Sequence, residues 1–235
     1  MQSDRAINAF LEAMSVDKDK AGRKPWGTSF ITISRQFGAG GHELADAILD
    51  EMKLYPNIRL LQGWKIFDKE ICQIVAENPK LRVSLNSLLD ESYLSRSAAF
   101  LAEILIGHPP QDAVYKKIIE VIHSLASIGK VILIGRGGAC ITAGWSKGVR
   151  LRLVASEVTR LKWAIDQRLI EAKSAEKILR ERDRARKRLV SDCFGKDIDD
   201  PLLYDAIWNM DTVPVHEIAK SAVRLIMSRA GLEPN

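Results

Sequence analysis

Apolar positions recur along this chain with two periods. Short runs dominated by β-branched and aromatic residues, Phe30–Ser34, Lys65–Phe67, Val131–Ile134, Arg150–Val154 and Tyr204–Trp208, read as strands. Between them lie longer stretches with apolar residues at three- and four-residue spacing, which read as amphipathic helices. The alternation predicts an α/β fold, a parallel five-stranded sheet flanked by helices. In such folds ligands sit at the C-terminal ends of the strands. Two glycine-bearing turns, after Ser34 and after Ile134, fall at such ends.

The strands are unevenly spaced. About sixty residues separate Phe67 from Val131, far more than one crossover helix requires. Helical patterns over Lys69–Glu77, Leu81–Ser92, Ala98–Ile106 and Gln111–Ile128 predict an inserted helical lobe spanning about 69–128. Ahead of the first strand, Ile7, Phe10, Leu11 and Met14 mark a short amphipathic helix, and the polar run Asp17–Pro25 reads as a linker. Residues 1–28 are therefore expected to be an extension, and 29–235 the main domain.

Composition narrows the function classes. The chain has 235 residues, 35 basic and 30 acidic, for a net charge of +5. That mild excess suits a small anionic ligand and is too weak to argue for nucleic acid without a localised patch. Cys72, Cys140 and Cys193 are far apart and form no CxxC, and the four histidines form no ligand pair. Free thiols in a reducing compartment are expected, without zinc or disulfides. No apolar run is long enough to cross a membrane, and the N-terminus lacks a signal-like apolar segment. The expectation is a cytoplasmic protein, with a homo-oligomer left open.

The first glycine turn carries the chemistry. Gly38, Ala39, Gly40, Gly41 and His42 lie between a strand and a helix predicted over Glu43–Met52. Backbone N–H groups there converge on an anion, and the helix N-terminus adds partial positive charge. Yet a Walker A loop ends in Gly-Lys-Ser/Thr, and Gly41 stands where its lysine would be. Arg35 and His42 are the nearest substitutes for that charge. Arg35 reads equally as a surface ion pair, and His42 as a helix-start hydrogen bond. Glu43 is a candidate Mg²⁺ ligand or a carboxylate that complements the helix dipole.

Four blocks carry a family resemblance. The run from Ile33 to Leu44 (ISRQFGAGGHEL) resembles the opening motif of the cytidylate kinase-like family, a divergent branch of the P-loop nucleoside monophosphate kinases. Phe67 to Ile71 (FDKEI) and Val131 to Gly138 (VILIGRGG) are similar to its motifs after the second strand and around its Gly-Arg turn. Glu181 to Arg188 (ERDRARKR), followed by Pro201 and Tyr204 to Ile207 (YDAI), resembles its arginine-rich lid and last strand. The resemblance covers roughly residues 29–230 and implies a P-loop kinase fold, ATP with Mg²⁺ as donor, and a phosphate acceptor. It also implies a lid at about 174–200, and that Arg136 grips the acceptor's phosphate. Some members carry Asp where this chain has Ala139.

Phosphoryl transfer needs positive charge around the moving group. The stripe Ile178, Arg182, Ala185, Leu189 sets Arg182 on an otherwise apolar helix face, with Arg186 one turn on. Arg184 and Arg188 read as a solvated face. Arg136, after a strand and a glycine, suits phosphate or a core-edge ion pair. Asp68 suits acceptor hydroxyls, Mg²⁺, or the N-cap of the helix from Lys69. The sequence thus predicts a nucleotide kinase with Arg35, Arg182 and Arg186 as catalytic charges, and Asp68 and Arg136 around CMP or dCMP. The rival readings are a regulatory module that binds nucleotide without turnover, and a kinase of a non-nucleotide metabolite.

Overall fold

The computed structural model describes residues 2–21, 29–89 and 113–232. Five strands form one sheet: β1 (Phe30–Arg35), β2 (Lys65–Phe67), β3 (Val131–Ile134), β4 (Gly148–Val154) and β5 (Ala206–Asn209). Their order is β2-β3-β1-β4-β5, and every pairing is parallel. The helices are α1 (Gln2–Ala21), α2 (Gly41–Lys53), α3 (Lys69–Glu77), α4 (Pro79–Ser87), α5 (Ala113–Ile128), α6 (Gly138–Ile141), α7 (Glu157–Asp166), α8 (Ala175–Phe194) and α9 (Val215–Arg229).

β2 and β3 match the sequence reading residue for residue. β4 begins two residues early, at Gly148. β5 begins two residues late because the Tyr204 N–H closes a turn on the Pro201 carbonyl. The Tyr204 hydroxyl donates to the Ile198 carbonyl at 2.8 Å, and Asp205 accepts from Arg150 and Arg229. α4 starts at Pro79 rather than Leu81, because the Asn78 side chain caps it by accepting from the Lys80 and Leu81 N–H groups. It ends at Ser87, short of the expected Ser92. The helix expected over 98–106 and the start of the one expected from Gln111 lie outside the described residues.

Alternation along β1 divides the core. Ile31 and Ile33 face α2 and α9, where Leu44, Ile48, Ile218 and Ile226 are buried. Phe30 faces the opposite layer, packed with α3, α4 and α5. Thr32 and Ser34 share the Phe30 face of β1, beneath α6 and α8, and a cavity opens there. The position of Thr32 and Ser34 thus follows from a period of two.

α1 is longer than the short helix expected. Ile7, Phe10 and Leu11 are buried in the same layer as α3–α5, and Met14 packs at its edge. Phe10 meets Phe67 edge-on, with ring centroids 5.4 Å apart. Cys72, Cys140 and Cys193 are buried free thiols, and burial pushes the first two up to about 12. No described helix is long and apolar enough to cross a membrane.

Candidate functional site

Two glycine turns meet at the C-terminal edge of the central strands. The first leaves β1 at Arg35 and enters α2 at Gly41. Gly38 and Gly40 hold φ of +79° and +72°, backbone that a side chain disfavours. Gly40 is the N-cap and offers no side-chain cap to α2. The N–H groups of the first turn therefore lack both an intrahelical acceptor and a capping oxygen. Glu43, in that turn, accepts from Trp163 Nε1 at 3.1 Å. The second turn leaves β3 at Gly135 and enters the short α6 at Gly138, with Arg136 held at φ +54°.

Arg35 spans the two turns. A Cβ added at Gly41 would lie 3.2 Å from Arg35 Cγ, Cδ and Nε, and one added at Gly135 would collide with Arg35 Nη1. Burial first, then the nearby charges of Arg186 and Arg136 against the opposing pull of Asp68, lower the Arg35 guanidinium to about 10. Among the described residues, no side chain forms an ion pair with Arg35, Arg136 or Arg182.

These cations edge a cavity of about 200 Å³. Its floor is Thr32 and Ser34, its far wall Cys140 and Ile198, and its roof Ala185 and Leu189 of α8. Among the described residues three buried side-chain atoms have no hydrogen-bond partner within the protein, Thr32 Oγ1, Arg136 Nε and Trp208 Nε1, and the first two belong to residues that line this cavity. Such atoms are costly to bury unless a ligand or water completes them. Arg136 also lies over the Tyr115 ring at 5.9 Å, while the Tyr115 hydroxyl donates to its carbonyl at 3.3 Å.

α8 covers the site with a face one position round from the expected stripe. Its most buried side chains are Leu179, Val190, Cys193 and Ala175, whereas Arg182 is exposed at the cavity's open side. Arg186 points inward, and burial lowers its guanidinium. Arg182 and Arg186 stand over the Phe37 ring at 6.0 and 5.5 Å. Arg184 and Arg188 are exposed.

Asp68 caps α3, its Oδ1 accepting from the Glu70 and Ile71 N–H groups at 2.9 Å. Its Oδ2 lies 3.3 Å from His42 Nε2. The His42 bond, followed by the backbone N–H groups, holds the Asp68 carboxyl below its ordinary range against the effect of burial. His42 and Asp68 are thus joined to each other, a pairing that the sequence left open.

Three further residues organise the site and were not singled out from sequence. Asp183 Oδ1 accepts from the Phe37 N–H at 2.7 Å, and Asp183 Oδ2 pairs with Arg160 Nη1 at 2.6 Å. Arg160 Nη1 also donates to the Phe37 carbonyl at 3.1 Å. Arg152, buried on β4, donates to Ser34 Oγ at 3.0 Å and pairs with Asp199 at 2.6 Å.

The model of the cytidylate kinase-like family matches residues 30–212. The chain belongs to the cytidylate kinase-like family. Membership indicates a nucleotide kinase in general terms, a phosphotransferase with a small-molecule nucleotide as substrate. Among solved structures, the chain is similar to an uncharacterized protein from Eubacterium ventriosum, at 18% identity and a TM-score of 0.63. The match covers 86% of this chain and 99% of that one, and supports the same fold. No curated protein matches the sequence.

Proposed function

We propose that this member of the cytidylate kinase-like family transfers the terminal phosphoryl group of ATP to a nucleoside monophosphate, provisionally CMP or dCMP. The observation that carries the reading is the set of guanidiniums on one small cavity, Arg35, Arg136 and Arg182, with no anionic partner among the described residues. A cluster of like charges at a half-buried site is unfavourable unless an anion neutralises it. Phosphates do so, and the bidentate geometry of arginine suits them.

In this reading the ATP phosphates rest on the backbone of Gly38, Ala39, Gly40, Gly41 and His42, at the uncapped start of α2. Arg35, Arg182 and Arg186 stabilise charge on the transferring group. Arg136 binds the acceptor's phosphate, and Asp68 orients its hydroxyls. The described residues hold no group of three or more His, Cys, Asp or Glu side chains arranged for a metal. Glu43 would be the protein carboxylate toward Mg²⁺. When bound, Mg²⁺ supplies neutralising charge across the phosphates. Closure of the arginine-rich segment of α8 would exclude water from the cavity, which limits hydrolysis of the donor.

A coupled assay of ADP release, run across the nucleoside monophosphates, tests the proposal. Acceptor-dependent release that is saturable by a pyrimidine monophosphate is expected. ADP release indifferent to every acceptor, from folded protein, would refute it.

A further inference from the structure

The P-loop lysine approaches phosphate from the first turn of a helix. This chain has glycine at that place, and the space a side chain would need there is already occupied. Arg35 Cγ, Cδ and Nε all lie 3.2 Å from where a Cβ on Gly41 would be. Beyond them, the guanidinium runs on to Gly135, where Nη1 fills the position of a Cβ. A single arginine rooted on β1 thus lies against both glycines. Its charge sits between the two turns, and no described residue pairs with it.

We propose that Arg35 takes the place of the P-loop lysine, with its charge delivered from the end of β1 instead of from α2. The inference rests on the reading of the site as one for nucleotide phosphates, and names the group that contacts the terminal phosphates there. A lysine on α2 would be a point charge over one loop. The Arg35 fork has donors at the first turn, beside Gly41, and at the second, beside Gly135. It can therefore reach the donor's terminal phosphates from the side of both turns. Its position also explains the sequence: a side chain at 41 and the arginine at 35 compete for the same volume.

The test relocates the charge in the full-length chain. ATP and AMP binding are measured by calorimetry for the wild type, Arg35→Ala, Gly41→Lys, and the double variant Arg35→Ala with Gly41→Lys. Thermal melts confirm folding, and Arg35→Lys serves as the conservative variant. Loss of a charged phosphate contact predicts about tenfold or more weaker ATP binding in Arg35→Ala, with AMP changed less than about twofold. The double variant recovers most of the ATP affinity, because the new lysine enters the vacated space. Gly41→Lys alone weakens ATP binding, since two side chains contend for one place. Arg35→Lys retains more ATP affinity than Arg35→Ala. The proposal is overturned if Arg35→Ala binds ATP like the wild type, if it loses ATP and AMP equally, or if the double variant recovers nothing. Failure of the kinase reading looks different: wild type that binds ATP but transfers to no acceptor refutes the activity, and the binding series still decides the role of Arg35.

Discussion

The Phe37 N–H donates to Asp183 across 146 residues of sequence, at 2.7 Å. This bond ties the first glycine turn to the helix that roofs the cavity. Arg160 closes the tie from α7, holding the Phe37 carbonyl and the other Asp183 oxygen. The turn and the arginines of α8 are therefore positioned by one carboxylate.

Asp183→Ala should destabilise the protein well beyond an exposed-residue change. The Arg160 side chain is only 8% exposed and would lose its anion. Breaking one partner of such a pair costs about 3–5 kcal/mol when both are buried, and Asp183 is partly exposed, so the lower end, about 3 kcal/mol, is expected. Denaturant melts measure the loss. Amide exchange at Phe37 should accelerate as well, and an unchanged Phe37 amide would mean that the bond does not hold the turn.

Arg136→Ala should raise the acceptor KM at least about tenfold, with the KM for ATP little changed, as expected when one charge-assisted phosphate contact is lost. Arg136→Lys should recover part of the loss, since a lysine keeps the charge but not the fork. Steady-state kinetics with each substrate varied in turn separate the two effects.

Phe10→Ala should cost about 3–4 kcal/mol, the usual range for removing a buried phenylalanine. The ring is 3% exposed and packs on Phe67. Thermal unfolding of the full chain tests this. A change near zero would show that α1 does not hold to the layer of α3–α5.

The Asp68 carboxyl predicts an acid-side effect. Its folded value lies below the unfolded one, chiefly through the bond to His42. The stability it contributes is therefore fully present above the unfolded carboxylate pKa, near 4. It is lost as pH falls through the folded value. His42→Ala removes the main cause, so its stability deficit relative to wild type should be present above about pH 4 and shrink on acidification below it. Denaturation curves at several pH values check this, and a constant deficit would contradict it.

The centre of the sheet was legible because β1 and β3 are apolar, β-branched runs that end at glycine turns. Both turns were legible for the same reason, and Arg35 and Arg136 follow directly from them. The phase of α8 was less so: its run from Arg180 to Arg188 holds too few apolar residues to fix which face turns inward, and Arg182 proved exposed while Asp183 and Arg186 turn in. Asp183 and Arg160 gave no local signal. A carboxylate that pairs with an arginine 23 residues away reads, in sequence, like any solvated charge. The same holds for Glu43 with Trp163 and for His42 with Asp68, where contacts between distant elements decide what each side chain touches.

The most direct test follows the phosphoryl group itself. ATP labelled at the γ position is incubated with Mg²⁺, CMP and the full-length protein, and the products are read by phosphorus NMR. The account predicts that the label appears as the β-phosphate of CDP, at a rate that falls sharply in Arg136→Ala. Label that stays on ATP or appears only as inorganic phosphate, with CMP and every other nucleoside monophosphate left unchanged, would contradict it.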